Sequence, residues 1–170
     1  MSGGYLAISH PTWCAHILQS LPGRCAFWRR DTKRFKAIDP GDPFFILRKQ
    51  RYQRPLSERA VIGHAEFRLS EVLPIHELGG YYGMHELGVS SVAELEKRLI
   101  EIAWDADPNL PREVGVIQLG PFKEFPIQVG WDRLRALGIG MATNVVQGIR
   151  LTGTQAEALL DAGLYGASLP

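Results

Sequence analysis

The segment Asp39-Pro40-Gly41-Asp42-Pro43, followed at once by Phe44-Phe45-Ile46-Leu47, restricts the fold more than any other stretch. Two prolines and a glycine within five residues set a tight reversal. Four consecutive large apolar residues are too few for a stable helix and lack polar alternation, so they read as a strand covered on both faces. The other apolar runs are also of strand length: Tyr5–Ser9, Arg24–Trp28, Ala60–Leu69, Gly115–Leu119 and Phe122–Val129. Gly63, inside its run, signals a bulge or a close backbone approach. Helical signals fall between the strands. Ser9 can cap and Pro11 suits the first turn of a helix through Gln19, with Trp13, Ile17 and Leu18 on its apolar side. Val92, Leu95, Leu99 and Ile102 form one stripe, and Ser91 with Glu94 fits a capping box. Trp131–Leu137 reads as a helical turn, and Thr152–Leu160 as a last short helix. Residues 29–36, 50–59 and 105–112 read as loops, and 72–88 as irregular with short helical turns. This order is not β-α-β alternation, so the expected class is α+β with a mostly antiparallel sheet or barrel.

At 170 residues the chain has the length of one domain able to bury its own core, and 45% apolar with 22% charged residues is ordinary globular composition. The net charge of +1 is uninformative, but its distribution is not. Eleven Lys and Arg against four acids lie between Arg24 and Arg59, a local net of +7, while the remainder is −6. Such a basic third can present a positive face to a polyanion, or be a solvated hairpin. Two cysteines, Cys14 and Cys25, are too few for a disulfide framework. The N-terminus lacks the pattern of a signal peptide, and no apolar run approaches the ~20 residues of a membrane helix. The expected location is cytoplasmic, without a membrane partner.

Catalytic and metal signatures are missing. The five histidines, His10, His16, His64, His76 and His85, make no H-x3-H or HExxH spacing, and the cysteines make no C-x2-C. No G-x-S-x-G elbow is present, and Gly138-Ile139-Gly140 lacks both a Walker lysine and the rest of a dinucleotide fingerprint. Cys14, beside Trp13 in a helix, reads as a buried inert thiol. The expectation is a binder without metal or cofactor, not an enzyme.

Two patches suggest what is bound. Phe27-Trp28-Arg29-Arg30 and Lys33-Arg34-Phe35-Lys36 interleave aromatic and basic residues. Aromatic faces stack on bases while Arg and Lys hold phosphates. Alternation along Arg24–Trp28 puts Cys25 and Phe27 on one side and Ala26 and Trp28 on the other, so a groove, a covering loop or solvent must meet one aromatic. In Asn144-Val145-Val146-Gln147-Gly148, two carboxamides bracket a valine pair; each offers a donor and an acceptor, suited to a base edge or to a backbone turn.

Together these residues resemble a known family. Phe27-Trp28-Arg29, then Phe35-Lys36-Ala37-Ile38-x-Pro40-Gly41-Asp42-Pro43-Phe44-Phe45, are similar to the PUA-like, EVE-related domain found N-terminal to HNH endonuclease domains. So, in the same order, are Ile62–Phe67, Tyr82-Gly83, Gly88-Val89-Ser90 with the helix after it, and Asn144–Gly148. Trp13 also falls where that family carries a tryptophan. The resemblance covers roughly residues 5–150, leaving 151–170 as a C-terminal helix and tail packed on the domain or extending from it. It implies a twisted β-barrel of five to six mostly antiparallel strands with flanking helices. It also implies a module that binds DNA, plain or modified, or RNA, and reads a flipped base in an aromatic pocket. The residues carried over as pocket or rim are Trp13, Phe27, Trp28, Arg29, Phe35, Lys36, Asn144 and Gln147. Arg30, Lys33, Arg34, Arg48 and Lys49 are the expected phosphate contacts. A small-molecule or nucleotide sensor on the same scaffold is the alternative. No His-Asn-His arrangement follows Gly148, so cleavage is not carried over and any effector would be a separate protein. The family's glycine-rich strand carries His64-Ala65-Glu66 here, which implies a narrowed or differently selective pocket.

Overall fold

A computed structural model describes residues 2–102, 113–140 and 148–166. Strand β1 (Gly4–Ser9) leads into helix α1 (Pro11–Ser20), followed by β2 (Cys25–Arg29) and β3 (Pro43–Arg48). A 3-10 turn at Leu56–Glu58 precedes the long β4 (Ala60–Pro74). A second 3-10 turn (Ile75–Glu77) and two single-turn helices, α2 (Leu78–Tyr81) and α3 (Met84–Leu87), then lead to α4 (Val92–Ile102). The chain continues through β5 (Glu113–Leu119), β6 (Lys123–Gly130), α5 (Trp131–Ala136), β7 (Gly148–Leu151) and α6 (Gly153–Tyr165).

Among the described residues seven strands form one sheet in the order β2-β5-β4-β3-β1-β7, with β6 also on β4. All pairings are antiparallel except β1 with β3. β4 is the spine. β6 pairs with its first half and β5 with its second, so β5 and β6 run along it as one bent strand. Both the β3 and β6 registers shift between Val61 and Gly63. A Cβ at Gly63 would lie 2.3 Å from the Lys123 carbonyl oxygen, so the glycine permits the close approach that the sequence suggests. The turn before β3 also forms: the Asp42 N–H donates to the Asp39 carbonyl, and Gly41 has φ +96°.

Where a twisted β-barrel of five to six strands is expected, the described residues form one mostly antiparallel sheet of seven strands. Among the described residues, the end strands β2 and β7 share no ladder. The inner core is completed instead by Trp13, Cys14 and Ile17 of α1 and by Phe35 and Ile38 of the loop before β3, all packed with Phe44, Ile62, Phe67 and Ile117. On the outer face, Ala156, Leu159 and Ala162 of α6 pack on Leu6, Phe45 and Phe125, so the C-terminal helix docks on the sheet. A third cluster joins α2–α4 to the outer side of β2 and β5 through Leu78, Leu87, Leu95, Leu99, Ala26 and Val116. β2 is thus covered on both faces, which is how its alternating aromatics are both accommodated.

Helix ends follow their sequence signals, with one substitution. His10, not Ser9, caps α1: its Nδ1 accepts the Thr12 N–H at 3.2 Å. Thr152 and Gln155 form a capping box on α6. β7 is a strand that sequence periodicity misses. Both thiols are buried, and burial pushes Cys14 and Cys25 up to about 12, so neither is a nucleophile at neutral pH. The loop expected over 105–112 lies outside the described residues.

Candidate nucleic-acid interface

β1 and β3 are parallel and in register, so their C-terminal ends arrive side by side, with Ser9 opposite Arg48. At this end a hollow of about 180 Å³ opens between the end of β1, the first turn of α1, β2 and α4. Its lining is Ile8, Ser9, His10, Trp13, Phe27, Trp28 and Arg98. The Trp13 and Phe27 rings meet edge to face, with centroids 5.5 Å apart. Trp28 faces the opposite side of β2, as alternation requires, and is pinned because its Nε1–H donates to the Leu87 carbonyl at 2.9 Å. Trp13 is held from behind by Gly88: a Cβ at that residue, whose φ is +69°, would lie 2.5 Å from the indole Cδ1. Three aromatic side chains therefore border one hollow, and each is fixed by its neighbours.

Arg98 is the charged group in this lining, and sequence reasoning did not select it. Its side chain is 12% exposed, and Nη2 donates to Glu94 Oε1 at 2.8 Å, one helical turn earlier. Glu94 is itself held by the Ser90 N–H at 2.6 Å and the Ser90 hydroxyl at 2.5 Å, with His16 Nε2 3.3 Å away. The hydrogen bonds from Ser90 push the Glu94 carboxyl down to about 2, so Glu94 stays ionised across ordinary pH. The available signal was the Ser90-Ser91-x-x-Glu94 cap followed by Arg98 at i+4, which in sequence looks like a solvated helix surface.

Next to the hollow, beyond Pro11, lies a groove bordered by Pro11, Arg48, Lys49, Arg51 and Glu58. The Arg51 guanidinium is fixed on Glu58 at 2.6 Å, and Arg48 donates to Gln128 Oε1 at 3.1 Å. Lys49 is exposed, and its backbone N–H donates to the Ser9 carbonyl. Tyr52, 90% exposed, stands at the tip of the loop that follows, where Gln53 takes φ +59°.

The remaining expected site residues disperse. Phe35 is 7% exposed and packs against Tyr5, Phe44 and Phe67, so it is a core residue and offers no face to a base. Arg29 turns toward that core: it lies over the Phe35 ring, donates to the Lys33 carbonyl and faces Asp31. Arg34 and Lys36 border a different hollow, with Arg68, by the other end of β3. Five residue steps of strand, about 17 Å, separate that end from Arg48. Arg30 and Lys33 are exposed in the loop after β2. Asn144 and Gln147 lie outside the described residues. Gly148, immediately after them, pairs with Ala7, and a Cβ there would lie 2.3 Å from the Leu6 carbonyl oxygen, so the signature ends on a glycine for lack of space. His64 does not narrow the aromatic hollow. It packs between Phe45 and Phe125 under α6, where burial lowers it to about 4, and Ala65 faces the inner core. Among the described residues no three His, Cys, Asp or Glu side chains gather as a metal site, and no helix is long and apolar enough to cross a membrane.

Solved structures of similar architecture give the chain a PUA-like fold. It is similar to the ASCH protein of Zymomonas mobilis, with TM-score 0.63 and 13% identity over 93% of this chain and 94% of that one. It is also similar to human THYN1, solved in complex with DNA containing 5-methylcytosine, with TM-score 0.52 and 12% identity over 99% and 100% of the two chains. A Pseudomonas syringae protein gives TM-score 0.51 and 15% identity over 95% and 99%. These likenesses speak for the fold and carry no HNH nuclease context. No family model matches the chain, and no curated protein is significantly similar to it in sequence.

Proposed function

We propose that this chain is a nucleic-acid-binding module that accepts one unstacked base between Trp13, Phe27 and Trp28 and holds the adjacent backbone on Arg48 and Lys49. The observation that carries the reading is the hollow itself: three fixed aromatic side chains on a sheet end that also presents a basic groove. Stacking on such walls is worth about 1–3 kcal/mol per base, and cations alongside supply the salt-dependent remainder. A base inside a duplex reaches a hollow of this kind only by leaving the stack, which costs least at mismatched, modified or single-stranded positions. THYN1, of similar fold, is the neighbour found with 5-methylcytosine DNA. The reading needs no metal, cofactor or nucleophile; cleavage would fall to a separate effector.

Mobility shifts at low salt with plain, methylated and hydroxymethylated DNA and with RNA test this. A shift by at least one of them, weakened by Trp28→Ala, is expected. No shift by any of them, with a thermal stabilisation by a free mononucleotide, would replace the module by a nucleotide sensor on the same fold.

A further inference from the structure

We propose, building on that reading, that Arg34, Lys36 and Arg68 form a second phosphate site, which grips the nucleic-acid backbone about five nucleotides from the base in the aromatic hollow. The basic run Lys33-Arg34-Phe35-Lys36 supplies two of its cations. Phe35 is buried in the core, while Arg34 and Lys36 on either side of it are exposed. The Phe35 N–H donates to the Ser70 hydroxyl at 3.0 Å, which ties this loop to β4 and leaves the hydroxyl its own proton to donate. Arg68, exposed on β4, is steered by two neighbours. Its Nη2 lies 3.1 Å from Glu66 Oε2, and its guanidinium lies against Gly120, where a Cβ would sit 3.1 Å from Nε. The three cations border a hollow of about 450 Å³, and Asp39 is the one carboxylate in its lining among the described residues. Three positive charges against one negative leave that lining a net of +2.

The placement of this second hollow identifies its ligand. Both hollows abut the same core cluster, the aromatic one through Trp13 and Phe27, the basic one through Phe35, Ile38 and Phe67. The loop after β2 runs from Trp28, at the first, to Arg34, at the second, and Lys33 is exposed along it. The two hollows lie by opposite ends of β3, about 17 Å apart. A stacked strand carries one phosphate about every 3.4 Å, so about five phosphate steps cover that gap. A free phosphate ion gains nothing from two sites so far apart. A polymer of regularly spaced phosphates does, because its first contact holds the rest of the chain at a high effective concentration near the second. The cations stand at an exposed rim, so they address a hydrated backbone and carry no base preference.

The test uses the full chain and labelled single strands of two lengths, about four and about twelve nucleotides, read by fluorescence anisotropy over a range of salt. The short strand, stacked, spans about 10 Å and falls short of the second site; the long one reaches it. For the parent, the long strand should bind roughly tenfold tighter at low salt, with a dependence of log affinity on log salt steeper by about one to two units, since each phosphate contact on a single strand contributes about 0.7. Lys36→Gln with Arg68→Gln, checked for an unaltered unfolding transition, should remove most of that steepening and leave the short strand within about twofold. Arg135→Gln, which removes an exposed cation from α5, controls for a general loss of charge and should change neither. The amide resonances of Leu69 and Ser70 in a 1H–15N spectrum should move with the long strand and stay still when the short one saturates the aromatic hollow. Equal loss for both lengths, no loss for the long strand, or unmoved resonances with the long strand bound overturn the inference and leave the module standing. Failure of both strands to bind the parent overturns both.

Discussion

Trp28 separates the structural from the binding role of the hollow. Its indole N–H donates to the Leu87 carbonyl at 2.9 Å, while its ring borders the hollow and packs on the α2–α4 cluster. Trp28→Phe keeps an aromatic face but removes that hydrogen bond and leaves a partly buried carbonyl without its donor, a loss of about 1–2 kcal/mol. For a chain of 170 residues that corresponds to a fall in Tm of about 3–6 °C. Stacking survives, so affinity for an oligonucleotide should stay within about threefold. Trp28→Ala removes the wall as well and should weaken binding by roughly 5- to 150-fold, the equivalent of one base–aromatic stack. Thermal unfolding and anisotropy titrations on the two variants give the four numbers needed. The reasoning is refuted if Trp28→Ala, still folded, binds as tightly as the parent. It is refuted equally if Trp28→Phe loses as much affinity as Trp28→Ala, because the indole N–H would then address the ligand and not Leu87.

Three further outcomes follow from the same geometry. Gly88→Ala must place a side chain at φ +69° and 2.5 Å from the Trp13 indole, so it should cost about 2–4 kcal/mol and weaken oligonucleotide binding with it, measured by denaturant unfolding and anisotropy. His64, lowered by burial to about 4 from an ordinary value near 6.5, is neutral in the folded chain and charges more readily in the unfolded one. Its contribution is therefore whole above about pH 6.5 and lost as pH falls toward 4; the parent should lose about 2 kcal/mol over that window, and His64→Phe should lose less, in denaturant titrations at several pH values. Arg48→Gln with Lys49→Gln should weaken binding about equally for all sequences and flatten the dependence of log affinity on log salt by up to about two units, in titrations from low to physiological salt.

The parts legible in the sequence were those governed by local chemistry. The Pro-Gly turn into Phe44–Leu47, the alternation that splits Phe27 from Trp28, and the close approach at Gly63 depend on a few adjacent residues, and each has its counterpart in the fold. What failed depended on distant partners. Phe35 sits in a basic run and looks like an exposed stacking residue, but the loop that carries it folds inward to complete the core where, among the described residues, no strand ladder closes the sheet. Arg29 follows it, because a guanidinium over a buried ring has left the surface. Arg98 has the opposite history: an i,i+4 partner of Glu94 on an amphipathic helix looks solvated until β2 and α1 are packed around it. Gly148–Leu151 is too short for a period-2 pattern, and only its pairing with β1 makes it a strand. The basic third, continuous in sequence, divides between two ends of β3 because a six-residue strand lies in its middle.

The central claim is that a base enters the hollow, beyond phosphates being held beside it. Indole N–H resonances of Trp13 and Trp28 in a 1H–15N spectrum, followed during titration with a cytosine-containing single strand, test it most directly. Entry of a ring between these side chains should shift both resonances saturably, with the same Kd that anisotropy reports. Binding that saturates while both indoles stay unmoved would place the nucleic acid on the basic groove alone and contradict the account.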